Sequence, residues 1–324
     1  MSNLIPIKKN QTSNLLPLTR DRRFGTDGIR GPVDSTMDPL FVAKLGWAAG
    51  TVLLEEGITR VLIGKDTRIS GYMLESALQA GFISSGMDVI LLGPLPTPGV
   101  SFLANSNKQA GVVITASHNL FEDNGIKFFN KDGQKFSSEL EKRIETKLTK
   151  EIESVNSINL GKATRMNDAQ GRYIEFCKSN VTDLDLSGLS ILLDCAHGAT
   201  YSVAPKVFEE LGATVSTIGS DPDGVNINQN CGPTNPEYIR EEILKGDYHL
   251  GISFDGDGDR ILMVSKTGKI LDGDDLLYIL SKDLNKESGV VGTLMTNKAL
   301  QLYFKDMKIN FCRADVGDKY VLQK

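Results

Sequence analysis

The chain has 324 residues and a formal net charge of −5. This length favours two or three domains. The acidic balance, without a long basic run, argues against a nucleic-acid-binding protein, and no apolar stretch is long enough to span a membrane. Four scattered cysteines without metal-ligand spacing are typical of a reducing compartment, so we expect a cytoplasmic protein. They are Cys177, Cys195, Cys231 and Cys312.

Residues 1–20 are polar and contain no acidic side chain. We expect a disordered extension here, because the arginine-rich amphipathic pattern of a transit peptide is absent. A first domain is predicted for residues 21–160. Apolar periodicity predicts its helices and strands in alternation. They are a helix over 40–56, a strand at 61, a helix over 74–85, strands over 88–92 and 111–115, and a solvated helix over 137–153, before a polar linker at 156–167.

Two glycine-punctuated loops of this domain carry arginines. Residues 22–31 include Arg23 and Arg30, and residues 64–71 include Arg68. Both loops suit a phosphate-containing ligand, because guanidinium groups grip oxyanions and glycine exposes backbone N–H groups. Neither is a Walker loop, because the spaced Gly-Lys-Ser/Thr is absent. Each loop alone is equally compatible with solvated surface arginines.

The segment Thr115-Ala-Ser-His-Asn119 directly follows the last strand of this series. Ser117 is therefore expected just beyond the carboxyl end of a strand, where open α/β sheets bind ligands. An exposed hydroxyl there can be a nucleophile if its neighbours stabilise the developing charge, and His118 and Lys127 are close in sequence. A Ser/Asn turn that merely ends the strand fits the same residues.

Asp255, Asp257 and Asp259 alternate with two glycines, and Arg260 follows. A glycine turn can aim three carboxylates at one point, and anions so close require a cation between them. Oxygen ligands favour Mg²⁺ before Ca²⁺ when phosphate supplies further ligands. A calcium EF-hand loop is excluded, because Arg260 and Lys266 stand where it needs glycine and glutamate. A plain hairpin turn is the remaining alternative.

A second domain is predicted for residues 161–265 and a third for residues 266–324. The alternation of strands and helices indicates an α/β fold with mostly parallel sheets. The second domain has predicted strands over 190–194, 214–218 and 250–254. The third has predicted strands over 269–271, 289–295 and 309–312, and helices over 274–285 and 297–305.

Four segments together resemble the α-D-phosphohexomutase superfamily, in the order of that family. They are Phe24-Gly-Thr-Asp-Gly-Ile-Arg-Gly31, Gly64-Lys-Asp-Thr-Arg68, Thr115-Ala-Ser-His-Asn119 and Asp255-Gly-Asp-Gly-Asp-Arg260. Residues 226–237 and 316–322 are similar to the phosphoglucosamine mutase branch. The resemblance implies successive α/β/α domains with mixed, mostly parallel sheets.

The resemblance also implies a mechanism. Ser117 would be a phosphoserine that donates its phosphoryl group to a hexosamine monophosphate, through a bound 1,6-bisphosphate. Asp255, Asp257 and Asp259 would bind one Mg²⁺ per chain, together with an oxygen of the phosphorylated Ser117. Glucosamine or glucose 1,6-bisphosphate would prime the serine. The product would feed UDP-N-acetylglucosamine and cell-wall synthesis.

Basic residues would complete such a site. Arg30, Arg260 and Lys127 are predicted to stabilise the transferring group, because phosphoryl transfer depends on positioning and electrostatics. Arg68 is predicted to bind phosphate. Lys127 or His118 would move the proton of the sugar hydroxyl, although His118 could equally organise the loop through hydrogen bonds.

The resemblance has two departures. Leu120 replaces a usual proline, and the chain stops at Lys324, inside the third domain. The family's sugar-binding loop and its fourth domain would follow that point, so we expect weak or no turnover for these 324 residues. Three interpretations stay open: an incomplete phosphoglucosamine mutase, an inactive Mg²⁺-binding remnant, and a phosphomannomutase or phosphoglucomutase.

Overall fold

The computed structural model describes residues 22–282 and 289–324. The predicted extension at 1–20 lies outside the described residues, as do residues 283–285 of the helix predicted over 274–285. None of the described helices is both long and apolar enough to cross a membrane.

The first domain is built on a mixed six-stranded sheet with the order β1-β5-β4-β2-β3-β6. The strands are β1 (Ile29–Pro32), β2 (Arg60–Lys65), β3 (Asp88–Pro94), β4 (Ala110–Ile114), β5 (Asp123–Phe129) and β6 (Ala163–Arg165). Strand β2 pairs in parallel with β3 and β4, and β5 pairs antiparallel with β4 and β1. The helices are α1 (Pro39–Glu55), α2 (Ser70–Ser84), α3 (Thr97–Asn107) and α4 (Ser138–Leu148).

Local chemistry explains why α1 starts where it does and how it packs. The side chain of Asp38 accepts hydrogen bonds from the N–H groups of Leu40 and Phe41, and Pro39 occupies the first turn, where its missing N–H costs nothing. A Cβ on Gly81 of α2 would lie 2.0 Å from the carbonyl oxygen of Ala43. Glycine therefore lets α1 and α2 approach closely over the apolar core.

The second domain is built on a five-stranded sheet with the order β11-β10-β9-β7-β8. The strands are β7 (Ser190–Asp194), β8 (Thr214–Ile218), β9 (Leu250–Phe254), β10 (Ile261–Ser265) and β11 (Ile270–Leu271). Strand β7 is parallel to both β8 and β9, whereas β10 runs antiparallel to β9 and β11. Its helices are α5 (Ala169–Ser179), α6 (Ala204–Glu210) and α7 (Pro236–Lys245).

The described third domain has a parallel pair of strands and three helices. Strands β12 (Gly289–Thr293) and β13 (Asn310–Ala314) pair in parallel. The helices are α8 (Gly273–Ser281), α9 (Lys298–Asp306) and α10 (Asp318–Leu322). A small apolar core forms around Val290, Leu300 and Phe304. Together the three sheets confirm the predicted α/β fold with mixed, mostly parallel sheets.

Two short strands pair across the predicted domain boundaries. Strand β6 falls within the predicted second domain, and within the predicted polar linker, yet it pairs with β3 of the first sheet. Strand β11 falls within the predicted third domain, yet it pairs with β10 of the second sheet. In both cases the backbone hydrogen bonds of a short strand assign it to the preceding domain.

Candidate active site

Ser117 lies in the turn that follows β4. Its backbone is left-handed, with φ of 54°, and its N–H donates to the hydroxyl of Thr115 at 2.9 Å. Its own hydroxyl donates to Oδ2 of Asp255 at 2.7 Å and lies 3.4 Å from Nδ1 of His118. Only 1% of Ser117 is exposed, so the prediction of an exposed hydroxyl is wrong. The turn after β9 of the second domain covers it.

Arg68 supports the backbone of residues 115–120, the serine turn. Its side chain is fully buried and forms an ion pair with Asp66 at 3.0 Å. Its guanidinium donates to the carbonyl oxygens of Ser117, Asn119 and Leu120 at 2.9–3.0 Å. This placement contradicts the predicted phosphate-binding role of Arg68, because the guanidinium is enclosed and already occupied by the turn.

The three predicted metal ligands meet in the turn between β9 and β10. One carboxylate oxygen from each of Asp255, Asp257 and Asp259 lies within 4.8 Å of the other two. Oδ1 of Asp255 accepts from the N–H groups of Asp259 and Arg260 at 3.2 and 3.1 Å. Asp255 and Asp257 are buried. The turn therefore presents a compact, largely enclosed set of oxygen atoms.

The electrostatics of this cluster favour a bound cation. Burial, together with Asp257 and Asp259, raises the pKa of Asp255 well above its usual range. Burial would also raise the pKa of Asp257, but Lys127 and hydrogen bonds from Lys127 and Thr97 lower it. Oδ1 of Asp257 is buried without a hydrogen-bond partner among the described residues. Because a buried bare carboxylate oxygen is costly, these residues fit a divalent ion.

Lys127, on β5, provides the positive charge opposite the carboxylates. Its ammonium lies 2.7 Å from Asp257, 3.0 Å from Asp259 and 3.2 Å from Asp27, and the side chain is 1% exposed. Burial alone would lower the pKa of Lys127, but these three carboxylates raise it above its ordinary value. Lys127 therefore stays protonated, which suits charge stabilisation better than the alternative role of accepting a proton.

His118 occupies a different environment beside the serine. Partial burial, together with the positive charges of Arg260 and Arg30, lowers the pKa of its imidazole. A neutral imidazole can accept a proton. Of the two residues considered for proton transfer, His118 therefore has the suitable charge state.

A cavity of about 440 Å³ opens in front of this cluster, between residues of all three domains. Arg30 forms an ion pair with Asp27 on its wall, and half-exposed Arg260 lies at its edge. Lys135 bonds both Asp27 and Asp318, at 2.5 and 2.7 Å. The lining residues are Thr26, Asp27, Arg30, Lys135, Asp259, Arg260, Val316, Gly317 and Asp318. The predicted Arg30, Arg260 and Asp259 thus meet in one cavity, while Arg23 is exposed elsewhere in its loop.

Several residues of the site escaped the sequence analysis. Asp27 lies inside the segment 24–31 and was not assigned a role. Thr97 donates to Oδ2 of Asp257 at 2.5 Å, and Asn228 reaches the serine turn from the second domain. Asp27 had a usable signal, since it is the one acidic residue of a basic, glycine-rich loop. Thr97 had none, because its partner is far away in sequence. Asn228 lies in the segment 226–237, which was singled out for its resemblance to one branch of the family and not for a role at the site.

Comparison with known proteins decides the family. Family models for phosphoglucomutase/phosphomannomutase alpha/beta/alpha domains I, II and III match residues 21–155, 171–268 and 272–324. The phosphoglucosamine mutase of Legionella pneumophila (strain Corby) is 54% identical over 313 residues, which cover 94% of this chain and 69% of that protein. The chain belongs to the phosphoglucosamine mutase family. By family it is an isomerase that moves a phosphoryl group within its substrate.

Further relatives agree with this family. The phosphoglucosamine mutase of Pseudomonas entomophila (strain L48) is 56% identical over 306 residues, covering 92% of this chain and 69% of that protein. A putative phosphomannomutase from Thermus thermophilus shares the fold with a TM-score of 0.81 at 25% identity, covering 93% of this chain and 70% of that one. An Aspergillus fumigatus N-acetylphosphoglucosamine mutase, solved with GlcNAc-6P and magnesium, has a TM-score of 0.54 at 17% identity, covering 93% and 64%.

Proposed function

We propose that this protein interconverts glucosamine-6-phosphate and glucosamine-1-phosphate through a phosphoserine at Ser117 and a bound 1,6-bisphosphate. The observation that carries the proposal is the 2.7 Å hydrogen bond between the Ser117 hydroxyl and Asp255, within a cluster of three carboxylates. The sugar is proposed from the identity of 54–56% to phosphoglucosamine mutases.

The same cluster supports a magnesium cofactor. Asp255, Asp257 and Asp259 would hold one Mg²⁺ per chain, with an oxygen of phosphorylated Ser117 as a further ligand. The ion would offset negative charge on the phosphoserine and on the transferring group. Magnesium is present in the Aspergillus fumigatus relative, and carboxylate oxygens are the ligands it prefers.

The chain's own side chains would then carry out the transfer. The sugar hydroxyl oxygen bonds to phosphorus while the bond from phosphorus to Ser117 Oγ breaks. The hydroxyl proton passes to the neutral imidazole of His118, which returns it to the released Ser117 Oγ, 3.4 Å from Nδ1 of His118. Lys127 remains protonated and stabilises the charge around the reacting group. Arg30 and Arg260 bind phosphate oxygens from the cavity wall. Arg68 holds the serine turn and does not contact the substrate.

Glucosamine or glucose 1,6-bisphosphate would place the first phosphate on Ser117; a related Aspergillus fumigatus enzyme was solved with glucose 1,6-bisphosphate. The four free thiols fit a cytoplasmic location. An inactive Mg²⁺-binding remnant is the competing interpretation, and a phosphomannomutase or phosphoglucomutase is a second. No observation on the site favours either one.

Phosphate uptake tests this function directly. The purified chain is incubated with Mg²⁺ and glucose 1,6-bisphosphate, and the phosphorylated peptide is identified by mass spectrometry. We expect phosphate on Ser117 of the wild type and of Ser220→Ala, a control whose hydroxyl bonds Thr217, and none on Ser117→Ala. A coupled assay that compares glucosamine, mannose and glucose phosphates then identifies the sugar. Phosphate that persists in Ser117→Ala refutes the mechanism, and a folded wild type that takes up none supports the remnant.

A further inference from the structure

The backbone of the serine turn accepts hydrogen bonds from side chains of two domains. The carbonyl oxygen of Ser117 accepts from Nη2 of Arg68 at 3.0 Å and from Nδ2 of Asn228 at 2.8 Å. The carbonyl oxygen of Asn119 accepts from the same two groups, at 2.9 Å each. Since a carbonyl oxygen has two lone pairs, one donor from each domain saturates both acceptors.

Hydrogen bonds within the second domain fix the backbone of Asn228. It is 5% exposed and has a left-handed backbone with φ of 59°. Its N–H donates to the carbonyl of Ala196 at 2.9 Å. The buried carboxylate of Asp194, at the end of β7, in turn accepts from the N–H groups of Ala196 and Gly232 at 3.0 and 2.7 Å. The side-chain amide of Asn228 therefore extends from a backbone segment that hydrogen bonds hold within the second domain.

Gly256 lies in the turn between β9 and β10 that carries the three carboxylates, the carboxylate turn. Because Gly256 has no side chain, it leaves space for the contact between Asn228 and Ser117. A Cβ at this position would lie 2.7 Å from Nδ2 of Asn228 and 2.7 Å from the carbonyl oxygen of Ser117. These distances are shorter than van der Waals contact, so a side chain here would separate the two groups. The contact between Asn228 and the serine turn thus passes directly beside the proposed metal ligands.

We propose that Asn228 is a positioning residue that, together with Arg68, holds Ser117 in the left-handed conformation that directs its hydroxyl at Asp255. The inference rests on the proposed function, because the group being positioned is the proposed phosphoserine. Positive φ is unfavourable for serine, so the conformation has to be held by its surroundings. The segment 226–237, which distinguishes the branch in sequence, thereby acts on the nucleophile of another domain.

Three variants separate this role from a general effect on stability. Asn228→Gly removes the amide and tolerates the left-handed backbone. Asn228→Asp keeps the shape but places an oxygen against two carbonyl oxygens. Asn230→Gly is the matched control, because Asn230 is also left-handed (φ of 56°) and exposed, and its carbonyl accepts from Asn235 within the same segment.

Amide hydrogen exchange over residues 115–120 is the first measurement. The N–H groups of Ser117 and Asn119 are bonded within the turn and exchange when it opens. We expect about tenfold faster exchange in both Asn228 variants, with strands β7 and β9 unchanged, and wild-type exchange in Asn230→Gly. Unchanged exchange at 115–120 in Asn228→Gly, or equal acceleration in the control, overturns the proposal.

The rate of Ser117 phosphorylation by glucose 1,6-bisphosphate is the second measurement. We expect the rate at saturating bisphosphate to fall roughly 10- to 100-fold in Asn228→Gly, with little change in the half-saturating concentration. A shift in half-saturating concentration at an unchanged maximal rate contradicts positioning. If the wild type takes up no phosphate, the proposed function fails, whereas the exchange result still decides whether Asn228 holds the turn.

Discussion

The hydroxyl of Ser117 and the carboxylate of Asp255 are 2.7 Å apart in space and 138 positions apart in the sequence. Ser117 follows β4 of the first domain, and Asp255 follows β9 of the second. The proposed nucleophile and the proposed metal ligands therefore meet only where the carboxyl ends of two different sheets face each other. Any change in the packing of these domains changes the reacting geometry directly.

Magnesium should stabilise the folded chain through the carboxylate turn. At a Mg²⁺ concentration of about 100 times the dissociation constant, the free energy of unfolding should rise by about 2.7 kcal/mol. Asp257→Asn should lose most of this increase, because Asp257 provides a buried oxygen without another partner among the described residues. Urea denaturation with and without Mg²⁺ measures the difference. Asp247→Asn is the control, since that side chain is 92% exposed. If Mg²⁺ stabilises Asp257→Asn as much as it stabilises the wild type, Asp257 is not a metal ligand.

Removal of the Lys127 ammonium should destabilise the chain strongly. Lys127→Met leaves the buried Asp257 without its counter-ion, and breaking such a contact costs about 3–5 kcal/mol. Mg²⁺ should recover part of the loss, because a second cation then neutralises the same carboxylate. Urea unfolding with and without Mg²⁺ measures the free energy of unfolding of the wild type and of Lys127→Met. Lys131→Met, at an exposed position nearby, should change stability by less than about 0.5 kcal/mol. A similar loss in both variants would contradict the argument.

Asp27 should contribute to the pH dependence of stability. Burial opposes ionisation, but Lys127, Lys135 and Arg30 lower the pKa of Asp27 from 3.8 to about 2. A lowered pKa in the folded state means that the stabilisation is complete above about pH 4 and is lost as the pH falls towards about 2. Since Asp27 is partly exposed, we expect about 1 kcal/mol after allowance for solvent screening.

The test for Asp27 compares urea midpoints at pH 5 and pH 3. The wild type should lose more stability between these two conditions than Asp27→Asn, whereas Asp34→Asn, at an exposed position, should behave as the wild type does. Identical losses in the wild type and in Asp27→Asn would mean that the ion pairs do not persist in solution.

The cysteines should differ sharply in their reactivity. Burial raises the pKa of the Cys195 and Cys231 thiols to about 12, while Cys312 is exposed. Iodoacetamide at pH 8 should modify Cys312 first and leave Cys195 and Cys231 intact until the chain unfolds, because the thiolate is the reactive form. Peptide mass spectrometry over time follows each site, and Cys312→Ser should remove the fast phase. Rapid modification of Cys231 would contradict its burial, since it is 2% exposed.

Several strands were predictable from their local sequence. The predicted ranges 190–194, 214–218 and 250–254 match β7, β8 and β9, and the fully buried β4 matches within one residue at each end. Strands β4 and β7 lie inside their sheets, are largely buried and so appear as nearly continuous apolar runs. Strand β8 lies at a sheet edge with exposed residues, and its β-branched residues indicate it instead. By contrast, β6 has three exposed residues. It becomes a strand because it pairs with the edge of β3, which no local pattern indicates.

Local sequence by itself determined the chemistry that the site contains. A hydroxyl after a buried strand, three carboxylates on a glycine turn and nearby cations are properties of short segments, so they could be found without a fold. Tertiary structure alone decided that Ser117 is buried, that the guanidinium of Arg68 bonds to the turn that carries it, and that Asn228 contacts the backbone of Ser117. Each of these depends on contacts between distant residues, which arise only when the sheets pack together and which leave no periodicity in the chain.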